Sequence, residues 1–243
     1  MNCLILFSGT KSFSKMFLNE KNKKNFNEIK TVDLSNHFKP TYNVDILKWD
    51  YKKDLNDFKI DYLHSSPVCS HFTKLKNTKT SKRDLELGFS LFDKTIEIIE
   101  WIQENNNSKL KFTIENPKSK LTLDYEPLKK FKHTITSYCQ YGYMYQKNTI
   151  FWYGGFDLTL KTICNKKNKC LSKLSNDGIH KVRIGMSSGS KVFIPSNKNQ
   201  IGDHEHYKEL RKLEIYKNQP KMTNQFFRYR IPEGLIQDII NCI

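Results

Sequence analysis

A cysteine in a polar turn is the first candidate for covalent chemistry. Cys69 follows the run Tyr62–Ser65, which has the composition of a strand, and has Ser66, Pro67 and Ser70 as close neighbours. Polar neighbours on both sides predict a thiol that is exposed rather than buried. Because an exposed thiol at the end of a strand can attack an electrophile, Cys69 is the candidate nucleophile.

A carboxyl group at the end of another strand-like run is the second candidate. Glu115 ends the run Lys111–Glu115 and is followed by Asn116 and Pro117, a pair that turns the chain. Beside Cys69, this carboxyl group could hold and protonate a ring nitrogen, which makes a ring easier for a thiolate to attack. The protonated form needs a raised pKa, which burial of the carboxyl group under the bound ring could provide.

A glycine turn is followed along the chain by two acidic residues, which is the order of these groups in sites that bind an adenosine cofactor. The segment Leu6–Ser12 runs from a strand into a tight turn around Gly9, where a nucleotide-like ligand can approach the backbone. Asp33 ends the next predicted strand, where a carboxylate can bind ribose hydroxyls. Asp45 and Ile46 come before the third strand and offer a polar and an apolar group for a purine ring.

Strand-like and helix-like segments alternate through the first two thirds of the chain. The clearest predicted helix is 83–105, where apolar residues recur at helical spacing. This alternation predicts an α/β fold with a mostly parallel, doubly wound sheet, helices on both faces, and ligands at the carboxyl edge of the strands. The predicted strands are Asn2–Phe7, Glu28–Leu34, Tyr62–Ser65, Lys111–Glu115, Thr134–Tyr138 and Thr149–Tyr153.

The pattern changes after Gly154 and Gly155. Residues 156–202 are rich in Lys, Asn, Ser and Gly and show little periodicity, whereas 203–217 has the pattern of one amphipathic helix. A final helix is predicted from Arg230 through Ile240. We therefore expect a catalytic domain at 1–154, a small irregular recognition lobe at 155–227, and a C-terminal helix at 228–243 that returns to the catalytic domain.

The positive charge is concentrated in this second part of the chain. The net charge is +16, from 41 basic and 25 acidic residues, and residues 154–230 contain 16 of the basic and 6 of the acidic ones. Lysine accounts for most of this charge, but four of the five arginines also lie there. Because a planar guanidinium suits phosphate and base-edge contacts, Arg183, Arg228 and Arg230 are candidate nucleic-acid contacts.

Six cysteines are too few and too scattered for a secreted disulfide scaffold. Cys164 and Cys170 are close together, His180 follows ten residues later, and Cys139 lies elsewhere in the chain. The five-residue gap between the first two exceeds the usual spacing of a zinc knuckle, so we expect reduced cysteines and no metal. If zinc is bound, Cys164, Cys170 and His180 are the candidate ligands.

Taken in order, the motifs resemble those of the DNA cytosine-C5 methyltransferases, most closely the short form found in phages and large DNA viruses. The resemblance covers nearly the whole chain, although 156–227 is only loosely matched. The motifs are Phe7-Ser8-Gly9-Thr10, Asp33, Asp45-Ile46, Ser66-Pro67-x-Cys69, Glu115-Asn116-Pro117, the stretch 139–149, and Arg228-x-Arg230-Ile231-Pro232-Glu233.

The resemblance implies a Rossmann-like class I methyltransferase that binds S-adenosylmethionine and flips its target cytosine out of double-stranded DNA. It implies that Cys69 attacks carbon 6 and that Glu115 contacts N3 and the exocyclic amine. Gln140, Lys147 and Thr149 fall on a segment that supports the active site and contacts the DNA backbone. The residues implied to hold the cofactor are Phe7, Ser8, Gly9, Thr10, Asp33, Asp45, Ile46, Ser66 and Pro67.

Two alternatives remain open at the level of sequence. The protein could methylate cytosine in RNA or tRNA, or it could be a weakly active or inactive DNA-binding relative. Val68 and Lys147 stand where the family has proline and arginine. No apolar run approaches a membrane span and no signal peptide is evident, so we expect an intracellular protein, cytoplasmic or wherever viral or host DNA resides. The sequence does not determine the oligomeric state, for which a monomer is the expectation.

Overall fold

The computed structural model describes residues 1–72, 83–143, 146–165, 168, 170, 182–184, 192–194 and 229–243. Within these ranges the helices are α1 (Ser12–Phe17), α2 (Tyr51–Asp54), α3 (Leu85–Asn105), α4 (Lys120–Leu123) and α5 (Glu233–Cys242). The strands are β1 (Asn2–Leu6), β2 (Glu28–Asp33), β3 (Tyr42–Asn43), β4 (Tyr62–Ser65), β5 (Lys111–Pro117), β6 (Lys132–Ser137), β7 (Asn148–Gly154), β8 (Val182–Ile184) and β9 (Val192–Ile194).

Seven of these strands form one sheet in the order β3-β2-β1-β4-β5-β7-β6. The pairs from β3 through β5 are parallel, whereas β7 is antiparallel to both β5 and β6. This mostly parallel sheet with one reversed strand confirms the predicted Rossmann-like class I methyltransferase fold. Strands β8 and β9 form a separate parallel pair within the segment expected to be irregular.

Helices cover both faces of the large sheet, as predicted. Successive side chains of a strand point to opposite faces, and β1 divides its residues accordingly. Cys3 and Ile5 pack into one apolar cluster with residues of α1 and α5, whereas Leu4 and Leu6 pack into another with residues of α3. Because β1 is buried on both faces, it is apolar throughout, as central strands of parallel sheets are.

The bounds of several elements differ slightly from the sequence prediction, for local reasons. α3 begins at Leu85 because Asp84 caps it, its carboxylate accepting a hydrogen bond from the Leu87 backbone N–H at 2.9 Å. β5 extends to Pro117 because antiparallel pairing with β7 continues to that residue. α5 begins only after Pro232, and the predicted helix at 203–217 lies outside the described residues.

The end of β7 needs glycine. Gly155 has φ +79°, and a Cβ atom there would lie 2.2 Å from the carbonyl oxygen of Leu110. The chain therefore leaves the sheet at a point where any side chain would collide with the neighbouring backbone. In the ranges described above, no helix combines the length and apolar character needed to cross a bilayer.

Candidate active site

A cavity of about 630 Å³ lies where β1, β2, β4 and β5 end. This is the edge at which sheets of this type bind ligands. Ten residues singled out from the sequence line it, namely Phe7, Ser8, Gly9, Thr10, Asp33, Ser66, Pro67, Cys69, Glu115 and Lys147. A second cavity, of about 500 Å³ and lined by Lys130, Lys132 and Asp157 among others, contains none of them.

The turn after β1 forms one wall of this cavity. Phe7 has φ +56° and Gly9 has φ +42°, so two residues of the turn adopt left-handed backbone conformations. For Phe7 this costs about 1–3 kcal/mol, which the surroundings must offset. The Gly9 backbone N–H donates to Asp33 Oδ2 at 2.7 Å, and the Ser35 N–H donates to Oδ1 at 2.8 Å. Asp33 therefore holds the turn against the end of β2.

Cys69 lies in the loop that follows β4. It begins a single 3₁₀ turn, Cys69–His71, and its side chain is partly exposed, as its polar neighbours led us to expect. Asn116 Nδ2 donates to the carbonyl oxygen of Pro67 at 2.8 Å, which attaches this loop to the end of β5. The Asn116-Pro117 pair thus does more than turn the chain, because its amide positions the segment that carries the thiol.

Glu115 is buried at the floor of the same cavity. It is 7% exposed, and its Oε2 has no hydrogen-bond partner among the described residues. Burial raises the pKa of Glu115, and this effect outweighs the charge of Lys147 and a hydrogen bond from Ser66, which act in the opposite direction. The carboxyl group therefore holds its proton to a higher pH than an exposed glutamic acid does.

A buried chain of hydrogen bonds leads to Glu115. Tyr62 Oη lies 2.5 Å from Thr113 Oγ1, which lies 2.9 Å from His64 Nδ1, and His64 Nε2 lies 2.9 Å from Ser66 Oγ. Ser66 in turn donates to Glu115. If each group donates to the next, from Tyr62 to Glu115, then His64 carries its proton on Nε2 and Nδ1 accepts from Thr113.

His64 was not among the residues singled out from the sequence. It is 1% exposed and its ring stacks on Phe13 with centroids 3.6 Å apart. Burial lowers the pKa of His64 to about 3, so the ring is neutral at physiological pH. A histidine inside a strand predicted to be buried was the available signal, but its partner on β5 follows only from the pairing of His64 with Thr113.

Lys147 and Thr149 lie on the other side of Glu115, before and on β7. Lys147 lines the cavity, with its Nζ 3.4 Å from Tyr138 Oη and 4.5 Å from the centre of that ring. Thr149 is fully buried opposite Pro117, its Oγ1 has no partner among the described residues, and it is absent from the cavity lining.

Three other predicted residues also lie outside the cavity lining. Gln140 donates through Nε2 to the carbonyl oxygen of Asn168 at 3.3 Å. Asp45 caps the 3₁₀ turn Ile46–Lys48, its Oδ1 accepting from the Leu47 N–H at 3.1 Å. Ile46 is buried in the apolar cluster that contains α3. The structure does not bring these side chains to the glycine turn.

The prediction that Arg230 contacts DNA needs correction. Its side chain is 1% exposed, and a buried guanidinium cannot reach a phosphate on a duplex. The segment around it instead closes the cavity: Tyr229 and Ile231 line it, and the Ile231 N–H donates to Ser12 Oγ at 3.4 Å. The Arg183 side chain, Arg228 and His180 lie outside the described residues.

Comparison with known proteins identifies one curated relative and a set of solved structures. The chain is 34% identical over 181 residues to a protein of Frog virus 3 (isolate Goorha) described as a probable DNA (cytosine-5)-methyltransferase; the match covers 70% of this chain and 78% of the relative. A solved structure of the S. pombe Dnmt2 methyltransferase matches with a TM-score of 0.44 and 16% identity, over 67% of this chain and 52% of that one, so the match spans about half of its length. No family model matches the chain.

Proposed function

This chain belongs to the DNA (cytosine-5)-methyltransferase family, and we propose that it transfers a methyl group from S-adenosylmethionine to carbon 5 of cytosine in double-stranded DNA. One observation carries the proposal. A single cavity is lined by the thiol of Cys69, the carboxyl group of Glu115 and the glycine turn around Gly9. A nucleophile, an acid and a nucleotide-binding turn are the three parts that this reaction requires.

The lining of the cavity fits S-adenosylmethionine. The volume of about 630 Å³ is within the roughly 300–1,000 Å³ of small-molecule sites. Ser8 Oγ is buried without a partner among the described residues, the Asp33 carboxylate is at the end of β2, and Phe7 and Phe38 add apolar walls. A buried hydroxyl and a carboxylate would bind the polar groups of the ligand, and the aromatic rings its adenine. The chemistry that this cofactor supplies when bound is an electrophilic methyl group.

Cys69 and Glu115 would act together on the cytosine ring. The Cys69 thiolate forms a bond to carbon 6, the electrons of the C5–C6 double bond shift towards carbon 5, and protonated Glu115 donates to N3. Carbon 5 then takes the methyl group. Loss of the carbon 5 proton to water, cleavage of the S–C6 bond and return of the N3 proton to Glu115 restore the aromatic ring, free the thiolate and regenerate the acid. The raised pKa of Glu115 supports its role as the donor.

Four further predicted residues are assigned to support of the active site or to DNA. We propose that Lys147 supports the active site from beside Glu115, and that Gln140, Arg183 and Arg228 contact the duplex. The proposed recognition lobe is 155–227, which carries half of the surplus positive charge. Residues 228–243 would belong with the catalytic domain 1–154, which is consistent with the packing of α5 against the cluster that contains Ile5 and Phe13.

A mechanism-based trap tests this proposal. Full-length protein is incubated with S-adenosylmethionine and a duplex library of random sequence in which 5-fluorocytosine replaces cytosine. The fluorine at carbon 5 cannot leave as a proton does, so the enzyme should remain bonded through Cys69 and migrate with the DNA on a denaturing gel. We expect this adduct with wild-type protein, only when the cofactor is present, and none with Cys69→Ser.

Cys242→Ser is the matched control, because Cys242 is the other partly exposed cysteine among the six and lies in α5, away from the cavity. It should form the adduct as wild type does. A parallel arm with 5-fluorocytidine RNA tests the choice of nucleic acid: capture of RNA in place of DNA would contradict the DNA assignment. Absence of any adduct would make the protein a binding relative, and capture by Cys69→Ser would refute the nucleophile.

A further inference from the structure

A second group of reactive side chains lies outside the candidate active site. The Sγ atoms of Cys139, Cys164 and Cys170 all lie within 4.8 Å of one another. Cys139 is in the 3₁₀ turn Tyr138–Tyr141 after β6, whereas the other two are in the segment that follows β7. The fold therefore joins two parts of the chain that the spacing of Cys164 and Cys170 alone did not connect.

The cluster is distinct from the apolar core. The three cysteines are 0%, 6% and 8% exposed, and they form a group separate from both large apolar clusters of the sheet. Cys3, by contrast, lies within one of those clusters. A cysteine that only fills space is expected among aliphatic and aromatic neighbours, as Cys3 is. Three thiols that lie close to one another are typical of a set of metal ligands.

The backbone around the cluster is ordered by hydrogen bonds. Ser137 Oγ accepts from the Cys164 N–H at 2.9 Å, and Gln146 Nε2 donates to the Cys164 carbonyl oxygen at 2.9 Å. The Asn165 N–H donates to the Asn168 carbonyl oxygen at 3.0 Å, which closes a turn between Cys164 and Cys170. This turn allows two cysteines separated by five residues to approach the same point.

The thiols also contact one another and the backbone. Cys139 hydrogen bonds to both other thiols, and the Cys170 backbone N–H donates to the Cys164 sulfur. A backbone N–H that points at sulfur stabilises a thiolate, the form that binds metal.

We propose that Cys139, Cys164 and Cys170 bind a structural zinc ion. Zinc is a borderline-soft cation bound by thiolates at about 2.3 Å in a tetrahedral arrangement, which places the sulfur atoms about 3.8 Å apart, within the separation of these three. On binding, each S–H gives up its proton to solvent, and three thiolates and one Zn²⁺ carry a net charge of −1. A tetrahedral site also needs a fourth ligand, which this group of three cysteines does not supply.

The place of the site indicates what the ion would do. It joins the turn that contains Gln140 to the segment that leads from β7 into residues 171–227. In the proposed function this segment leads into the recognition lobe. The zinc would therefore hold the first residues of that lobe against the turn that follows β6. The metal site itself does not depend on methyl transfer, and its tests succeed or fail independently of the proposed function.

Metal content of the purified protein is the first test. Full-length protein is purified under reducing conditions from cells supplied with zinc. Its zinc, iron and copper are measured by inductively coupled plasma mass spectrometry. We expect about one zinc per chain in wild type. In Cys164→Ser the content should fall at least about tenfold, in line with loss of a first-sphere ligand. Cys242→Ser, which changes a partly exposed cysteine of α5, should keep its zinc.

Cobalt substitution of the wild-type protein is the second test, and it does not require a variant to fold. Co²⁺ added to metal-free protein should produce a thiolate-to-cobalt charge-transfer band in the near ultraviolet and strong visible bands of a tetrahedral site, both removed by zinc. Absence of these bands together with absence of zinc would overturn the proposal. So would iron in place of zinc, equal zinc loss in Cys242→Ser, or a disulfide between two of the three cysteines.

Discussion

At the scale of single residues, burial and hydrogen bonding give Glu115 its chemical character. Burial reduces the contact of the carboxyl group with solvent, and among the described residues Ser66 donates a hydrogen bond to it and Lys147 adds a nearby positive charge. Ser66 is itself held by neutral His64, the ring of which is held by Thr113. We regard His64 as a positioning residue, because it acts on Glu115 through the Ser66 hydroxyl.

The pKa of Glu115 leads to a prediction for activity against pH. Only the protonated acid can donate to N3, and its folded pKa lies above the ordinary value of 4.5. Wild-type kcat/KM should therefore fall as the pH rises through that folded pKa. Glu115→Gln should be about 10²–10⁴-fold slower, since an amide cannot release a proton, and should lack this alkaline limb. Initial rates of methyl transfer across a pH series measure both effects.

Glu233→Gln is the control for this series. Glu233 also has a pKa raised by burial, but it lies in the first turn of α5 and is absent from the cavity lining. Its variant should keep the wild-type profile. A profile of Glu115→Gln with the alkaline limb intact would assign that limb to another group.

At the scale of elements, β7 determines how the chain leaves the sheet. Its pairing with β5 places Gly154 beside Phe112, and Gly155 then turns against the backbone of Leu110. The reversed direction of β7 also places Thr149 opposite Pro117, just beyond Glu115. β7 therefore runs from the cavity edge of the sheet, where Thr149 lies, to the opposite edge, where the chain leaves the sheet at Gly155.

Two glycines allow the cost of this close approach to be measured. Gly155→Ala should destabilise the protein by about 2–4 kcal/mol, because the new Cβ meets the Leu110 carbonyl oxygen at 2.2 Å and φ is +79°. Gly142→Ala has a similar φ, +88°, but no atom within 4 Å of the new Cβ, so it should cost only about 1 kcal/mol. Urea unfolding gives both values, and equal losses would contradict the close approach at Gly155.

At the scale of the whole molecule, the charge distribution predicts how DNA binding depends on salt. The surplus of basic residues lies mostly in 154–230, and each phosphate contact releases counterions from DNA. With about four such contacts, affinity should fall about 100-fold between about 50 and 200 mM salt. Fluorescence anisotropy with a labelled duplex measures this slope.

Variants distinguish specific phosphate contacts from general attraction. Arg228→Ala should weaken binding and lower the salt slope by about 1. Lys109→Ala removes the same charge at an exposed position beside the amino-terminal end of β5, at the edge of the sheet opposite the cavity, and should change neither. Affinity that is independent of salt, or an equal effect of the two variants, would contradict a DNA-binding surface in 154–230.

Much of the fold was predictable because its signals are local. The apolar run of β1, the glycine after it and the helical spacing of α3 each lie within a short stretch, and the structure matches them to within a few residues. The reversed direction of β7 was not predictable in this way, because pairing with β5 and β6 is decided between distant segments. Likewise, Arg230 looked like a surface cation until its burial was known.

By itself, the sequence determined the types and order of the reactive groups: a thiol after β4, a carboxyl group near the end of β5, and a glycine turn after β1. Only the tertiary structure decided which of these share a cavity, that His64 supports Glu115, that Asp45 and Thr149 lie outside the lining, and that three separated cysteines meet. The physical reason is that residue type is a property of each position. Burial, desolvation and proximity arise only when long-range packing brings distant segments together.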